Sequence, residues 1–192
     1  MISFPKEKYN IIYADPPWSY NARKNTSTKF GGGAMGHYST MSLQDIKDMP
    51  VQDITADNCV LFLWVTFPLL QEGLDVMKSW GFTYKTLGFS WHKLNKDGSL
   101  FFGVGSYTKS NCEVCLFGTK GNVGIKEAPN KLFVQSNKVS SAVNARREKH
   151  SKKPSEIRDR IVELFGDVPR IELFARETAS GWSSWGNQVE SR

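Results

Sequence analysis

An apolar run that ends in an aspartate and two prolines constrains the fold of this chain more than any other stretch. Residues 9–13, Tyr-Asn-Ile-Ile-Tyr, have the β-branched and aromatic side chains typical of a buried strand. Asp15-Pro16-Pro17-Trp18 follows after a single alanine. Because proline fixes φ and restricts the residue before it, the strand has to end here. The pattern predicts a strand that delivers a carboxylate and a stiff turn to the C-terminal edge of a sheet.

The predicted turn also has the composition of a ligand site. Open α/β sheets bind their ligands beyond the carboxyl ends of the strands. Since prolines have no N–H, we expect the carbonyls of Asp15 and Pro16 to be free of local hydrogen bonds, with the Trp18 ring beside them. Such a cluster of acceptors suits a planar group that carries an NH2, such as the amine of a nucleobase. The alternative is a strand, a Pro-Pro turn and a core tryptophan.

The remaining composition is that of one globular domain, residues 1–192, of the α/β class. The chain has 40% hydrophobic and 23% charged residues, which excludes wholesale disorder. It contains no 18-residue apolar span and no N-terminal signal pattern, so we expect a cytoplasmic protein. Cys112 and Cys115 form one C-x-x-C, but no second pair of ligands stands at zinc spacing. We therefore expect inert thiols and no metal.

The positive charge is concentrated in one segment. The formal net charge is 25 − 19 = +6, and eight basic but only three acidic residues fall between positions 138 and 160. A basic loop over residues 136–153, next to a predicted helix, favours a phosphate or polyanion partner. Arg146 and Arg147 are its candidates for docking nucleic acid. A solvated, flexible loop is the alternative.

Strand and helix patterns alternate along the chain. Helices are predicted after Ser42, Pro68 and Pro154, and the stretch from 19 to 40, with four glycines and little apolar periodicity, is a predicted lid or substrate loop. The predicted strands cover residues 9–13, 59–65, 84–92, 112–118, 132–134 and 170–175. This order predicts a mostly parallel sheet with helices on both faces. Neither a G-x-G-x-x-G nor a Walker A loop is present.

Seven segments carry a resemblance to one family. Asp15-Pro16-Pro17-Trp18 resembles the D-P-P-W catalytic motif of the S-adenosylmethionine-dependent adenine-N6 methyltransferases, whose eukaryotic members include the catalytic subunit of the mRNA adenosine methylase. Six further segments resemble family motifs in the same order: 38–42, 61–66, 112–116, 150–154, 171–176 and 185–188. Their order is more specific than any one motif. The resemblance implies a permuted, β-class Rossmann-like methyltransferase, in which the catalytic motif precedes the cofactor motif.

The resemblance also implies roles for the matched residues. Asp15, Pro16, Pro17 and Trp18 form the catalytic set, in which Asp15 and the Pro16 carbonyl accept the two N–H groups of the amine. The residues implied to bind the cofactor are Asp15, Ser151, Lys153, Glu172, Arg176, Asn187 and Gln188. Those on the substrate side are Tyr38, Trp91, Lys93, Glu113, Arg146 and Arg147. For Lys93 and Glu113, beside Trp91, a core or surface role is the alternative.

The implied reaction is methyl transfer from S-adenosylmethionine to the exocyclic amine of adenine. A compact chain resembles the bacterial or phage members, which favours DNA over RNA as the substrate, and a homodimer would enlarge the docking surface. Because the amine lies inside a duplex, the base has to be flipped out or the substrate single-stranded. The alternatives are the same reaction on RNA, transfer to another amine such as that of cytosine, and a catalytically weak nucleic-acid-binding partner subunit.

Overall fold

Residues 3–19, 40–105, 107–148 and 152–189 are described by a computed structural model. Most of the predicted lid loop lies outside these ranges, as do Tyr38 and Ser151. The predictions for those two side chains are not tested by the structure.

The described residues contain nine strands and three α-helices. The strands are β1 (Tyr9–Ala14), β2 (Thr55–Val65), β3 (Thr83–Leu94), β4 (Cys112–Lys120), β5 (Val123–Gly124), β6 (Leu132–Phe133), β7 (Ala142–Arg146), β8 (Arg170–Leu173) and β9 (Ser183–Trp185). The helices are α1 (Leu43–Lys47), α2 (Leu70–Ser79) and α3 (Glu156–Phe165), with 3-10 turns at Val51–Ile54 and Phe67–Leu69. All six predicted strands and all three predicted helices are present. The short strands β5, β7 and β9 have no marked apolar pattern and were not predicted.

Seven strands form one sheet in the order β7-β3-β4-β2-β1-β8-β9, and β5 pairs with β6 separately. Four of the six pairings in the large sheet are parallel, and only β4 runs antiparallel to its neighbours. The prediction of a mostly parallel, Rossmann-like α/β sheet is confirmed. Because β4 is reversed, its first residues lie at the same edge as the last residues of β1, β2, β3 and β8.

Helices cover both faces of the sheet, as predicted. Alternate residues of β1 point to opposite sides: Ile12 belongs to one core cluster and Ile11 to the other. Helices α1 and α2 pack on the first face, through Ile46, Val76 and Met77. Helix α3 packs on the second face, through Ile157, Ile161 and Phe165. Strand β2 is apolar over most of its length because both of its faces are covered.

Two of the helix ends have well-defined capping residues. Ser42 caps α1, and its hydroxyl accepts a hydrogen bond of 3.1 Å from the amide of Asp45. Gly166 ends α3 with φ of 78°, a conformation that glycine adopts at little cost. Among the described helices, none is both long enough and apolar enough to cross a membrane.

Candidate active site

Residues far apart in the sequence meet at the edge of the sheet where β1 ends. Asp15 follows β1, and Glu172 lies near the end of the adjacent strand β8, paired in register with Tyr13. Glu113 stands at the start of β4, and Lys153 precedes α3. The reversed direction of β4 is what brings Glu113 to this edge. Two sets of ion pairs connect these side chains.

The first set, which we call the inner network, consists of Asp15, Lys153, Glu113 and Lys93. The Lys153 ammonium lies 2.7 Å from Asp15 Oδ2 and 3.3 Å from Glu113 Oε2. The other oxygen of Glu113 accepts a hydrogen bond of 2.5 Å from Lys93. Positive and negative side chains therefore alternate in a series that starts at Lys93 of β3 and ends at Asp15, directly after β1. Two of the predicted substrate-side residues, Lys93 and Glu113, are thus linked to the predicted catalytic aspartate.

Burial and charge act in opposite directions on the pKa values of the inner network. Burial lowers the pKa of Lys153, but Asp15 and Glu113 together outweigh it and hold that pKa above its usual value. Burial raises the pKa of Glu113, yet the two lysines prevail and lower it. For Asp15 burial is the larger effect, so its pKa is raised although Lys153 opposes the shift. Burial thus dominates at Asp15, whereas the two lysines dominate at Glu113.

Two tryptophans and a tyrosine support the inner network. The Trp64 ring lies 5.4 Å from the Lys153 ammonium, close enough for a cation–π contact. The Trp64 indole N–H donates to the Tyr13 hydroxyl at 2.8 Å, and the Trp18 indole N–H donates to the Trp64 carbonyl at 3.0 Å. Trp18 also packs against the first core cluster. The Trp18 ring is thus anchored to β2 and to the core, and it does not line the cleft described below.

The Pro16 carbonyl differs from the prediction that it is free of local hydrogen bonds. It accepts a hydrogen bond of 2.8 Å from the Trp18 amide, and the Pro17 carbonyl accepts one of 2.9 Å from Met41. That prediction was wrong because Trp18, the first residue after the prolines, has an N–H that folds back across Pro17. A carbonyl oxygen has two lone pairs, so Pro16 keeps one acceptor position for a ligand.

The second set, which we call the outer network, consists of Glu172, Arg158, Glu177 and Lys152. The Arg158 guanidinium donates to Glu172 at 2.9 Å and to Glu177 at 3.0 Å. Lys152 lies 3.2 Å from the other oxygen of Glu177. Burial raises the pKa of Glu172, and Arg158 opposes the shift in part. The sequence did not single out Arg158 or Glu177. Whether a residue in the first turn of α3 faces β8 depends on how the helix packs on the sheet.

A narrow cleft separates the two networks. Its free volume is about 30 Å³, roughly room for one or two water molecules. Four of the residues predicted to bind the cofactor line this cleft: Asp15, Lys153, Glu172 and Arg176. Asn187 and Gln188 do not line it; they are exposed after β9.

The turn after β8 is held by the segment that contains Asn187 and Gln188. Phe174 has a φ of 62°, which is uncommon for a residue with a side chain. The amide of Ala175 donates to the Trp185 carbonyl at 2.9 Å. A Cβ at Gly186 would lie 2.3 Å from the Ala175 carbonyl oxygen, so only glycine permits this approach. The segment is therefore fitted against the turn that carries Arg176.

The cleft has the side chains that S-adenosylmethionine, the cofactor implied by the resemblance, would need. Carboxylates suit ribose hydroxyls and an ammonium group, while basic groups suit the carboxylate of a methionine moiety. Glu172 Oε2 binds Arg158, whereas Oε1 has no hydrogen-bond partner in the described part of the chain. Lys152, Lys153 and Arg176 line the same cleft. The residues present therefore fit this cofactor.

The other predicted substrate residues lie away from the cleft. Trp91 is only 3% exposed, its indole N–H donates to Ala145 at 2.9 Å, and its ring lies below the Lys93 ammonium. Arg146 and Arg147 are exposed at the end of β7. The structure thus connects Trp91 to the site through Lys93 and leaves the arginine pair facing solvent.

The cysteines and the acidic residues form no metal centre within the described ranges: no group of three histidine, cysteine, aspartate or glutamate side chains is placed to hold a metal ion. All three cysteines are free thiols, and burial raises the pKa of Cys59 to about 12. Cys59 therefore stays protonated at neutral pH.

The sequence matches a family model and several known proteins over almost its whole length. Residues 9–188 match the family model MT-A70. The type II methyltransferase M.MunI of a Mycoplasma species is 33% identical over 198 residues, which cover 96% of this chain and 79% of that protein. Human METTL4, an N(6)-adenine-specific methyltransferase, is 26% identical over 96% of this chain and 38% of its own length. The N(6)-adenosine-methyltransferase subunit METTL3 of Danio rerio is 26% identical over 95% of this chain and 28% of its own length.

Proposed function

The chain belongs to the MT-A70 family, and on that premise we propose that it transfers a methyl group from S-adenosylmethionine to the exocyclic amine of adenine in DNA. The proposal rests on one observation above all: Asp15, Lys153, Glu172 and Arg176 converge on a single cleft although up to 161 positions separate them (176 − 15). DNA is favoured over RNA because the chain is 33% identical to a type II methyltransferase over 79% of that protein, but only 26% identical to the N(6)-adenosine-methyltransferase subunit METTL3 over 28% of its length.

The target amine needs help because its lone pair is delocalised into the adenine ring. Asp15 Oδ2 is bonded to Lys153, while Oδ1 has no partner in the described residues and can accept one N–H of the amine. The remaining lone pair of the Pro16 carbonyl can accept the other N–H. Two acceptors on one nitrogen draw it out of the ring plane and aim its lone pair. Bound S-adenosylmethionine supplies an electrophilic methyl group on its sulfonium.

One proton has to leave the nitrogen as the methyl group arrives. Asp15 is the group nearest to that proton in this arrangement, and its raised pKa favours accepting it. Lys153 fixes the Asp15 carboxylate through the hydrogen bond of 2.7 Å, so its orientation does not depend on the substrate. The inner network thus holds the Asp15 carboxylate in position before the adenine binds. Such prior alignment of reacting groups contributes to the rate of the reaction.

On the cofactor side, we assign Glu172 to the ribose hydroxyls and the basic residues Lys152, Lys153 and Arg176 to the methionine carboxylate. An acid at the end of a parallel strand binds ribose hydroxyls in other nucleotide folds. Asn187 and Gln188 are assigned to the adenosine moiety from the family resemblance. Because the free volume of the cleft is only about 30 Å³, the cleft has to widen when the cofactor binds.

Replacement of Asp15 tests this function. Asp15→Ala and Asp15→Asn should lower kcat for methyl transfer by at least about 10²-fold, the loss typical of removing one positioned polar group. The assay compares duplex DNA, single-stranded DNA and RNA, and identifies the methylated nucleoside by mass. Asp57→Asn, an exposed aspartate at the opposite end of β2, is the matched control and should keep full activity.

Three results would contradict the proposal. Full activity of both Asp15 variants would remove the assigned role. N4-methylcytosine as the product would exclude adenine, and methylation of RNA alone would exclude DNA.

A further inference from the structure

The connection between β3 and β4, residues 95–111, forms an arm that projects from the edge of the sheet where the site lies. We call it the β3–β4 arm. Leu94 pairs with Leu100, and Gly103 pairs with Ser110 through two hydrogen bonds, of 2.8 and 3.3 Å. These bridges give the arm a defined shape in its described residues. The structure describes every position in it except 106.

The outer side of this arm is apolar and unusually exposed. Leu100, Phe102 and Val104 alternate along the arm, and Phe102 and Val104 are 63% and 99% exposed. Tyr107 is fully exposed further along. Single exposed apolar residues are ordinary, but four on one short segment indicate a surface that binds something.

The inner side of the arm is held by a cation. Phe101, whose side chain alternates with those of Leu100 and Phe102, packs against Arg147, with 3.4 Å between the guanidinium carbon and the ring centroid. The Arg147 amide also donates to the Leu94 carbonyl at 3.1 Å. Arg147 therefore attaches the arm to the residues at the end of β7, where Arg146 is also exposed.

The base of the arm leads directly to the inner network. Lys93, two residues before the arm, and Glu113, two residues after it, are the pair joined at 2.5 Å. Glu113 in turn binds Lys153, which binds Asp15. Both ends of the arm are therefore anchored within two residues of the network that holds Asp15.

We propose that the β3–β4 arm stacks Phe102 and Tyr107 on the DNA bases next to the target adenine, while Arg146 and Arg147 contact the adjoining phosphates. This inference rests on the proposed function. A base that leaves the stack exposes the faces of its neighbours, and inserted apolar or aromatic side chains can cover them.

Charge favours DNA over a second copy of the chain as the occupant of this surface. Lys96, Lys109, Arg146 and Arg147 lie in or beside the arm, with Asp97 and Glu148 as the nearby acids. In a symmetric dimer the same surface of each copy would meet the other, so these cations would face one another. Phosphates instead complement them.

The test is the double variant Phe102→Ala/Tyr107→Ala, measured by fluorescence anisotropy with an adenine-containing duplex and with the same single strand. Both side chains are exposed, so folding should be unaffected. We expect affinity to fall by about tenfold for each base that loses its aromatic partner. The salt dependence of binding should keep its slope because no charge is removed. Arg146→Gln/Arg147→Gln should instead reduce that slope by about 2.

Tyr84→Ala is the matched control, because Tyr84 is an exposed tyrosine near the start of β3, at the opposite edge of the sheet. It should bind DNA as the wild type does, and Phe102→Trp/Tyr107→Trp should keep the affinity that the alanine variant loses. Sedimentation of wild type and variants measures self-association in parallel.

Each contrary outcome identifies what failed. Unchanged affinity of the double alanine variant would overturn the arm's role, as would a wild-type dimer that this variant dissociates. Methyl transfer by the wild type, assayed on the same duplex, tests the proposed function separately. If the wild type is active and the double alanine variant binds DNA equally well, only the proposed role of the arm is wrong. A wild type that binds no nucleic acid would overturn both.

Discussion

The inner and outer networks flank the same cleft with the same pattern of alternating charges, yet they differ in access to solvent. In the inner network the side chains of Asp15, Lys153, Glu113 and Lys93 are only 11–21% exposed. The outer network is as enclosed at Arg158 and Glu172, but it opens at Glu177, whose side chain is 44% exposed. All four side chains of the inner network are thus largely shielded from solvent, whereas the outer network is solvent-exposed at Glu177.

This difference determines what each network can contribute. Breaking a buried ion pair leaves an uncompensated charge in a poorly solvated place, which is strongly destabilising. An exposed pair is replaced by water at little cost. We therefore interpret the inner network as a fixed support for Asp15 and the outer network as an adjustable support for Glu172.

The largest effect is expected at Lys153, which lies between two buried carboxylates. Lys153→Met leaves Asp15 and Glu113 without the cation that separates them, and should lower the free energy of unfolding by roughly 3–5 kcal/mol. Urea denaturation measures the change. The neighbouring variant Lys152→Met removes an outer, more exposed cation and should cost at most about 1 kcal/mol. Equal losses would show that the two networks do not differ as we describe.

A smaller and pH-dependent effect is expected for Glu113→Gln. The pKa of Glu113 is lowered from 4.5 in the folded protein, so its ionised form stabilises the fold above that pH and the contribution is lost as pH falls through the folded pKa. The variant should be less stable than the wild type by roughly 1–3 kcal/mol at neutral pH.

The difference between Glu113→Gln and the wild type should narrow as the pH falls below 4.5, which urea denaturation across pH 3–7 measures. Glu163→Gln, at an exposed glutamate of α3, is the control and should follow the wild-type profile. A constant difference at all pH values would mean that ionised Glu113 does not stabilise the inner network.

The smallest of these effects is expected for Arg158→Gln, which tests whether the outer network supports Glu172. Without the guanidinium, the pKa of Glu172 should rise further, because burial then acts with less opposition. Binding of S-adenosylhomocysteine, followed by calorimetry, should weaken by at most about tenfold, because Glu172 loses the charged hydrogen bond that holds it in place. Its loss on acidification should begin at a higher pH than in the wild type.

Arg160→Gln is the matched control for Arg158, since it lies on the same helix but pairs with Glu156 away from the cleft. It should leave the pH dependence of ligand binding unchanged. Tighter binding by Arg158→Gln would reverse our interpretation, because Arg158 would then compete with the ligand for Glu172.

Much of the fold could be predicted from local patterns. The apolar run of β2 and the helical spacing of Ile157 and Ile161 identify elements whose buried faces are long enough to leave a periodic signal. The five-residue strand β7 could not be predicted in this way, because Val143 is its only buried residue. Its pairing with β3 depends on the sheet that is already formed.

Some residues of the candidate site could likewise be predicted from the sequence, and others could not. Family motifs indicated Asp15, Lys153 and Glu172, because the chemistry of the reaction restricts the residue types at those positions. They gave no indication of Arg158 as the partner of Glu172, since surface-type arginines occur throughout the basic segment. The hydrogen bond to the Pro16 carbonyl was missed because it depends on how the chain turns back at Trp18.

By itself, the sequence determined where β1 ends and which carboxylate follows it, because proline acts on backbone geometry within one or two residues. It also determined the family, because the order of the motifs is a property of the chain. Only the tertiary structure decided which charges pair, since Lys153 meets Asp15 across 138 positions and Glu113 reaches both through a reversed strand. Ion pairing depends on distance in space, and chain position does not fix that distance until the sheet is assembled.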